Sequence, residues 1–309
     1  MDKMTLKGRP PYMASQQYSA PAFRGYFFLA ILTSLLSIAG CSPLSLLNTF
    51  VPSDGYRRTA DIAYGEDKIQ KLDIYQPTQP CDHCPVLIWI HGGAWNSGEK
   101  EEYQFVGEAF ASAGMLVVIP GYRKYPQVRF PGFIEDAASA VSWVRSNIQR
   151  YGGNPDDLNL MGHSAGAHIA MMLTFDPQYL AQVKVPLKSI TTAIGLAGPY
   201  NFLPIDEQVI AETFATAAPL ETSQPITYVT GENPPVLLAA GLKDKRVNPE
   251  NTFSMARKIQ EKGGEVKLVR YLEIGHPGIL LSLSRPLRNL SSVYPDVLEF
   301  LKQHGQPAP

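Results

Sequence analysis

Residues 158–166 read Leu-Asn-Leu-Met-Gly-His-Ser-Ala-Gly, a short apolar run that leads into the pattern Gly-x-Ser-x-Gly. The apolar run predicts a buried strand over 158–161, and residues 167–173 after the pattern predict a helix. Glycines flank Ser164 because so sharp a turn brings backbone atoms close on both sides and leaves little room for a Cβ. This arrangement predicts that the Ser164 hydroxyl projects into open space above the end of a strand.

Similar apolar runs recur along the chain and are typical of parallel strands whose two faces are both covered. The expected strands are residues 86–90, 115–119, 158–161, 190–197, 236–241 and 266–272. Two further runs, 58–64 and 69–75, predict an antiparallel hairpin at a sheet edge. A helix with one apolar face is predicted by apolar residues spaced three and four apart, namely Ile134, Ala137, Val141, Val144 and Ile148. Together these patterns predict an α/β fold with a mostly parallel, doubly wound sheet.

The composition excludes several classes of protein. The chain has 309 residues, 27 basic and 28 acidic side chains and a net charge of -1, with no long basic run of the kind that nucleic-acid binding needs. A hydrophobic content of 45% excludes a charge-rich disordered chain. We predict one large domain over 58–305, preceded by a linker at 41–57, with an inserted lid at about 198–235 where the alternation of strands and helices breaks.

The amino-terminal segment predicts export. After Asp2, the first 25 residues carry only basic charge, and the uncharged run Tyr26 to Ala39 is too short for the roughly 20 residues of a membrane span. The run ends in Ile38-Ala39-Gly40-Cys41, which resembles the lipobox of bacterial lipoproteins. That resemblance implies a signal peptide over 1–40, lipidation of Cys41 and a lipid-anchored location in the bacterial cell envelope. A buried core helix or a plain membrane anchor remains the alternative, and Met13 remains an alternative start.

Cys81 and Cys84 stand at C-x-x-C spacing just before a predicted strand. The second half of a zinc site is missing, and no redox-type helix follows. Since oxidising compartments favour disulfides, we expect these two cysteines to close a surface loop.

A serine hydroxyl becomes a nucleophile when a base accepts its proton. The histidines after the Ser164 turn are His168, His276 and His304. We assign the base to His276, because it follows the last predicted strand at the edge where Ser164 lies, and we expect His168 to be a packing residue. An acid must then hold the imidazole. We assign the acid to Asp244, because it just follows strand 236–241. The other acids considered are expected to be solvated or strand-end charges, namely Asp176, Asp206, Glu207 and Glu273.

Strand 86–90 runs directly into His91-Gly92-Gly93-Ala94-Trp95. Backbone amides in a glycine-rich loop can approach an oxyanion closely, so we assign the oxyanion hole to the amides of Gly93, Ala94 and Ala165. His91 is expected to support this loop. A phosphate-binding loop is excluded, since Gly98 is followed by Glu99 where that motif requires Lys and Ser or Thr.

Taken together, these motifs resemble the α/β-hydrolase carboxylesterases, near the hormone-sensitive-lipase-like and the feruloyl or acetyl esterase groups. The resemblance covers about 58–305 and includes the loop at 91–95, Gly121-Tyr122-Arg123 and Glu135-Asp136-Ala137. It implies hydrolysis of small uncharged esters through an acyl-enzyme on Ser164, with no metal or cofactor, and scaffold roles for Tyr122, Arg123 and Asp136. Gly121, where many relatives have Asp, and Ala94, in place of a third glycine, leave the subfamily open.

Other functions remain open at this stage. An amidase, peptidase or formamidase-like hydrolase uses the same three residues, and a non-catalytic surface protein can use the same fold for binding. Four aromatic residues are expected either to line an apolar pocket near Ser164 or to pack in the core: Trp95, Tyr200, Phe202 and Phe214. The sequence leaves the oligomeric state open.

Overall fold

A computed structural model describes residues 43–79 and 81–305. The strands are β1 Tyr56–Ala63, β2 Lys71–Pro77, β3 Cys84–Ile90, β4 Leu116–Pro120, β5 Gly153–His163, β6 Ile190–Leu196, β7 Val236–Gly241 and β8 Val266–Tyr271. The helices are α1 Pro43–Asn48, α2 Gln104–Ala111, α3 Gly132–Asn147, α4 Ala165–Phe175, α5 Pro177–Gln182, α6 Gln208–Thr213, α7 Glu250–Glu261, α8 His276–Leu281 and α9 Val293–His304. None of the described helices has the length and apolar character needed to cross a membrane.

The strands form one sheet of eight strands in the described part of the chain, in the order β1-β2-β4-β3-β5-β6-β7-β8. Strand β2 pairs antiparallel with both β1 and β4, and every other pairing in the sheet is parallel. The predicted α/β fold with an antiparallel hairpin at one edge is therefore confirmed. Because the other strands share one direction, their carboxyl ends lie along one edge of the sheet.

Alternate residues of the central strand β3 face two separate apolar cores. Val86, Ile88 and Ile90 pack on one side of the sheet, and Leu87 and Trp89 pack on the other. All five are fully buried. Strands covered on both faces need apolar residues at every position, which is why these runs do not alternate with polar residues.

Helices supply the outer layers on both faces. Helix α3 buries four of the five apolar residues that the spacing predicted, and the fifth, Ile148, is buried in the 3-10 turn that follows the helix. Helix α3 packs with α4 on one face. Helices α2 and α9 cover the other face with Phe105, Phe110, Val297 and Phe300. The described residues therefore form three layers, with the sheet between two layers of helices.

The largest differences from the predicted boundaries lie at residues 43–57 and at the start of β5, whereas the other strand limits lie within two residues of the prediction. Residues 43–57 do not form a linker, because Leu44, Leu47 and Val51 pack on the second core and β1 already begins at Tyr56. Strand β5 begins at Gly153, five residues before the predicted 158, because its first residues extend the pairing with β3. A disulfide joins Cys81 to Cys84, the first residue of β3, as the spacing predicted. The predicted signal peptide and the lipidation of Cys41 lie outside the described residues.

Candidate active site

Ser164 occupies a strained turn between β5 and α4. Its backbone has φ +56° and ψ -124°, a region that residues with a Cβ rarely adopt. Both flanking glycines are sterically required: a Cβ on Gly162 would lie 2.3 Å from the backbone of Gly166, and one on Gly166 would lie 2.0 Å from the Ile90 carbonyl oxygen. The Ser164 N–H donates to the carbonyl of Leu196 at 2.9 Å, which ties the turn to strand β6.

The structure brings Asp244 and His276 together. Asp244 follows β7, and His276 is the first residue of α8, just after β8. His276 Nδ1 lies 2.7 Å from Asp244 Oδ2, and the Asp244 side chain is only 1% exposed. The other oxygen, Oδ1, accepts the backbone N–H groups of Arg246 and Val247 at 2.8 and 2.9 Å.

These contacts determine the charge state of Asp244. Burial raises the pKa of the carboxyl group, but the hydrogen bond with His276 and the two backbone N–H donors lower the pKa more. The net effect holds the pKa of Asp244 below its ordinary value. The carboxylate is therefore ionised at neutral pH and accepts the proton of His276 Nδ1, which leaves Nε2 of the neutral ring as an acceptor.

His276 lies beside the residue that precedes Ser164. His163 Nε2 is 3.1 Å from the His276 carbonyl oxygen, and the two rings lie 4.5 Å apart between centroids. Within residues 43–79 and 81–305, no hydrogen bond joins the Ser164 hydroxyl to His276. Serine-to-base contacts are often long in ligand-free enzymes and tighten when substrate binds. The acid and the base thus meet as predicted, at the sheet edge that carries the serine.

The predicted oxyanion donors are available. In the described part of the chain, none of the backbone N–H groups of Gly93, Ala94 and Ala165 donates a hydrogen bond. Ala165 opens α4, where the first amides of a helix have no partner within it. Gly93 has φ +126°, and a Cβ there would lie 2.1 Å from the carbonyl oxygen of Ser97. The N–H of Ser97 donates to the Gly93 carbonyl at 2.9 Å and closes the loop.

His91 supports this loop, as the sequence predicted. The buried ring stacks on Tyr122 with 4.3 Å between centroids, and its Nδ1 lies 2.8 Å from the Gly92 carbonyl oxygen. The Tyr122 hydroxyl donates to the His91 carbonyl at 2.7 Å. Burial lowers the pKa of His91 to about 3, so the ring is neutral at pH 7.

The other predicted candidates have different partners. His168 is fully buried. His304, the last residue of α9, has its Nε2 2.8 Å from Glu265 Oε1. Asp176 caps α5 by accepting the Gln178 N–H. Glu273, which lies three residues before the base, forms an exposed ion pair with Lys243 at 2.5 Å. Among the described acids, Asp244 is therefore the one that binds the His276 ring.

Tyr122, Arg123 and Asp136 occupy scaffold positions. The nearly buried Asp136 carboxylate accepts the Arg123 guanidinium at 2.6 Å, the Arg123 N–H at 2.9 Å and the Gln70 side chain at 2.6 Å. These contacts connect the segment after β4 to helix α3. They support the loop that carries Tyr122 beneath His91.

A cavity of about 260 Å³ opens over Ser164. Its wall combines apolar and polar residues, namely Ala94, Trp95, Ser164, Pro199, Phe202, Pro204, Ile205, Asp206, Glu207, Ile210, Arg246, Val247, Asn248 and Asn251. Many of these belong to the predicted insertion at 198–235, which contains helix α6 and forms one side of the cavity. Arg246 and Glu207 approach across it, with 3.4 Å between Nη2 and Oε2.

The structure also shows where the other residues discussed in the sequence lie relative to the cavity. Asp206 and Glu207 are exposed, as expected, and also lie in the cavity wall, because the insertion folds over the sheet edge. Tyr200 and Phe214 are fully buried outside this wall, whereas Trp95 and Phe202 line it.

His163 and Arg246 were missed by the sequence analysis. His163 occupies the second position of the Gly-x-Ser-x-Gly pattern, and that adjacency was the signal available for it. No pattern in the sequence marks Arg246.

The fold and this site define an α/β-hydrolase with a serine, a histidine and an aspartate at the carboxyl edge of its sheet. The chain belongs to the BD-FAE family, whose model matches residues 72–259. It is 28% identical to esterase LipQ of Mycobacterium tuberculosis over 75% of this chain and 59% of that protein. It is 29% identical to an isoprenylcysteine alpha-carbonyl methylesterase of Arabidopsis thaliana, over 74% of this chain and 58% of that protein. The chain thus spans about three fifths of the length of these curated relatives.

Solved structures share the fold. Esterase B from Lactobacillus rhamnosis, solved with a tributyrin phosphonate, aligns with a TM-score of 0.75 at 18% identity, over 91% of this chain and 96% of that one. A truncated carbohydrate esterase from gut microbiota aligns with a TM-score of 0.71 at 19% identity, over 82% of this chain and 98% of that one. At these identities the likeness establishes the architecture.

Proposed function

We propose that this protein is a serine carboxylesterase that cleaves small uncharged carboxylic esters through an acyl-enzyme on Ser164. The observation that carries the proposal is the 2.7 Å contact between His276 Nδ1 and the buried Asp244 carboxylate, at the sheet edge where Ser164 lies in its strained turn. This contact supplies what a serine nucleophile needs, namely a neutral imidazole whose other nitrogen accepts a proton.

The reaction follows from the atoms at this edge. His276 Nε2 accepts the hydroxyl proton of Ser164 as Oγ bonds to the ester carbonyl carbon. The carbonyl oxygen becomes an oxyanion and accepts hydrogen bonds from the amides of Gly93, Ala94 and Ala165, each donor contributing on the order of 3 kcal/mol. His276 then protonates the alcohol oxygen as the ester bond breaks. Water, deprotonated by the same nitrogen, attacks the acyl-enzyme, and the carboxylic acid leaves as Ser164 regains its proton.

The size of the cavity supports a small substrate. Its volume of about 260 Å³ lies below the roughly 300–1,000 Å³ of sites that hold drug-sized ligands. Trp95 and Phe202 offer an apolar surface beside Ser164 for a short acyl group. One relative is named a methylesterase and one structural neighbour a carbohydrate esterase, so we leave the alcohol portion open.

Ser164→Ala tests the nucleophile. Hydrolysis of p-nitrophenyl acetate and butyrate should fall to the uncatalysed rate, and a fluorophosphonate probe should label the parent protein at Ser164 but not the variant. Ser139→Ala is the matched control, because the Ser139 hydroxyl bonds only within helix α3, to the Glu135 carbonyl. Retained turnover in Ser164→Ala would show that another residue is the nucleophile.

Matched p-nitroanilides of the same acyl groups test the amidase alternative. The proposal expects ester turnover to exceed amide turnover with each acyl group. A protein that labels with the probe but prefers the amide is an amidase. A protein that neither labels nor turns over either compound is a binding protein that uses this fold.

The proposal includes export and a lipid anchor at Cys41. Its support is the uncharged run Tyr26 to Ala39, the Ile38-Ala39-Gly40-Cys41 sequence and the disulfide at Cys81. After expression of the full chain in a bacterium, mass spectrometry should find a lipid-modified peptide that begins at Cys41, and the protein should sediment with membranes. Cys41→Ser should abolish the lipid. A chain that retains residues 1–40 and unmodified Cys41 would refute this part of the proposal.

A further inference from the structure

The oxyanion loop, residues 91–97, contains two consecutive residues in an uncommon backbone conformation. Ala94 has φ +48° and Trp95 has φ +58°. Residues with a Cβ keep such angles only where surrounding contacts hold them. Since the Ala94 amide is one of the predicted oxyanion donors, the contacts that hold Trp95 also determine where that donor points.

The Trp95 ring has both packing and polar contacts. Its indole lies among Phe133, Phe202 and Phe214, with centroid distances of 6.4, 5.7 and 4.8 Å. This packing fills the space around the ring but satisfies no polar atom. In the described part of the chain, the one hydrogen bond of the indole N–H goes to His168 Nδ1, at 3.3 Å.

His168 can accept that hydrogen bond in one tautomer only. Its Nε2 lies 2.8 Å from the carbonyl oxygen of Ser223, which can only accept, so Nε2 carries the proton. Nδ1 is then unprotonated and accepts from the indole N–H of Trp95. The ring is fully buried, and burial lowers its pKa to about 4, so it is neutral at pH 7.

His168 also belongs to the helix that follows the nucleophile. Its backbone N–H donates to the Ser164 carbonyl at 3.1 Å, one turn along α4. The same ring reaches Ser223 in the insertion, whose neighbour Gln224 accepts the Phe202 N–H at 2.8 Å. One side chain therefore joins three elements around the cavity: the nucleophile helix, the oxyanion loop and the insertion.

We propose that His168 is a positioning residue that orients the oxyanion loop by accepting the Trp95 indole N–H. The inference rests on the proposed esterase function. It assigns His168 a part in transition-state stabilisation through Trp95 and Ala94, beyond the packing role that the sequence predicted. Loss of the bond lets the loop relax and displaces an oxyanion donor, while the side of the cavity that the insertion supplies stays in place.

Three substitutions of His168 separate its two hydrogen bonds. His168→Asn keeps an acceptor near the Nδ1 position, His168→Gln keeps a donor near the Nε2 position, and His168→Phe keeps the ring volume and removes both. We expect kcat for p-nitrophenyl butyrate to fall about tenfold to a hundredfold in the Phe and Gln variants, part of the loss seen when an oxyanion donor is deleted. His168→Asn should stay within about threefold of the parent, and KM should change little in all three.

A second readout reports on the oxyanion hole directly. An alkylboronic acid forms a tetrahedral anionic adduct on the serine, so its inhibition constant should rise in proportion to the loss of kcat. Trp95→Phe, which removes the indole N–H and leaves His168 intact, should show the same loss of kcat even where His168→Phe fails to fold. The double variant Trp95→Phe with His168→Asn should lose no more than Trp95→Phe alone.

Parent-like kcat and boronate affinity in His168→Gln or Trp95→Phe would overturn the inference. So would a Gln variant that works while the Asn variant fails, because the bond to Ser223 would then be the important one. A parent protein without ester turnover or boronate inhibition would instead refute the proposed function. The two failures are thus distinguishable.

Discussion

Asp244→Asn replaces the carboxylate that binds the His276 ring with a side chain of the same shape. In the parent protein, Asp244 Oδ2 accepts from His276 Nδ1 at 2.7 Å, and Oδ1 accepts from the N–H groups of Arg246 and Val247. Because these backbone donors hold the side chain, the asparagine oxygen should keep the Oδ1 position. Its NH2 group would then face Nδ1 as a donor, which forces the imidazole proton onto Nε2, toward Ser164.

The expected loss follows from two effects. At the transition state His276 becomes a cation, and with about 4 Å between charge centres and an effective dielectric of about 20, the Asp244 carboxylate stabilises this cation by about 4 kcal/mol. That energy corresponds to a factor of about 10³ in kcat. The unfavourable tautomer adds to the loss. KM should change little, because Asp244 is absent from the wall of the cavity.

Steady-state hydrolysis of p-nitrophenyl butyrate at pH 7 measures this effect, and urea unfolding checks that the variant is folded. Glu273→Gln is the matched control: it removes an acid on the same side of the sheet, three residues before the base, that pairs with Lys243 and is 80% exposed. The control should stay within about twofold of the parent, since an exposed ion pair contributes little. A folded Asp244→Asn protein with less than about a tenfold loss of kcat would refute the assigned role.

Two further outcomes are expected. His163→Phe removes the hydrogen bond to the His276 carbonyl and should lower kcat about tenfold, the equivalent of one hydrogen bond. His163→Gln keeps a donor and should retain most of the parent kcat. Equal losses of kcat in both variants would argue that this hydrogen bond does not position His276. Burial lowers the pKa of His91 and His163 to about 3 and that of His168 to about 4. Below pH 6.5, these three histidines therefore bind fewer protons in the folded protein than in the unfolded chain. The free energy of unfolding should therefore fall as the pH falls below about 6.5 toward those pKa values, by about 4 kcal/mol per pH unit between pH 6 and 4. Urea unfolding measures this change. A free energy of unfolding that stays constant over that range would contradict the burial of three neutral histidines.

Much of the fold was predictable because its signals are local. Strand β7 at Val236–Gly241 has the predicted limits, and the five apolar residues that predicted α3 are all buried. Runs of apolar residues and helical spacing report which faces are covered, and they need no knowledge of distant parts of the chain. The predictions at 43–57 failed because packing of Leu44 and Leu47 on the second core depends on a tertiary surface that no local pattern records.

The acid and base were predictable for a related reason. Asp244 and His276 each follow a strand of a parallel sheet, so topology alone brings them to one edge. Trp95 and Arg246 lie in loops and have no such signal. Their roles depend on how irregular loops cross one another, and side chains in those loops carry no periodicity from which a contact can be inferred.

The amino-acid sequence by itself determined the α/β class, the strained turn at Ser164 and the residues that follow each strand, because sterics and periodicity act between near neighbours. The tertiary structure decided which nitrogen of His168 bears the proton, which aromatic residues line the cavity and how the insertion covers the site. These features depend on distances between segments far apart in the chain, and only the packing of the folded molecule sets those distances.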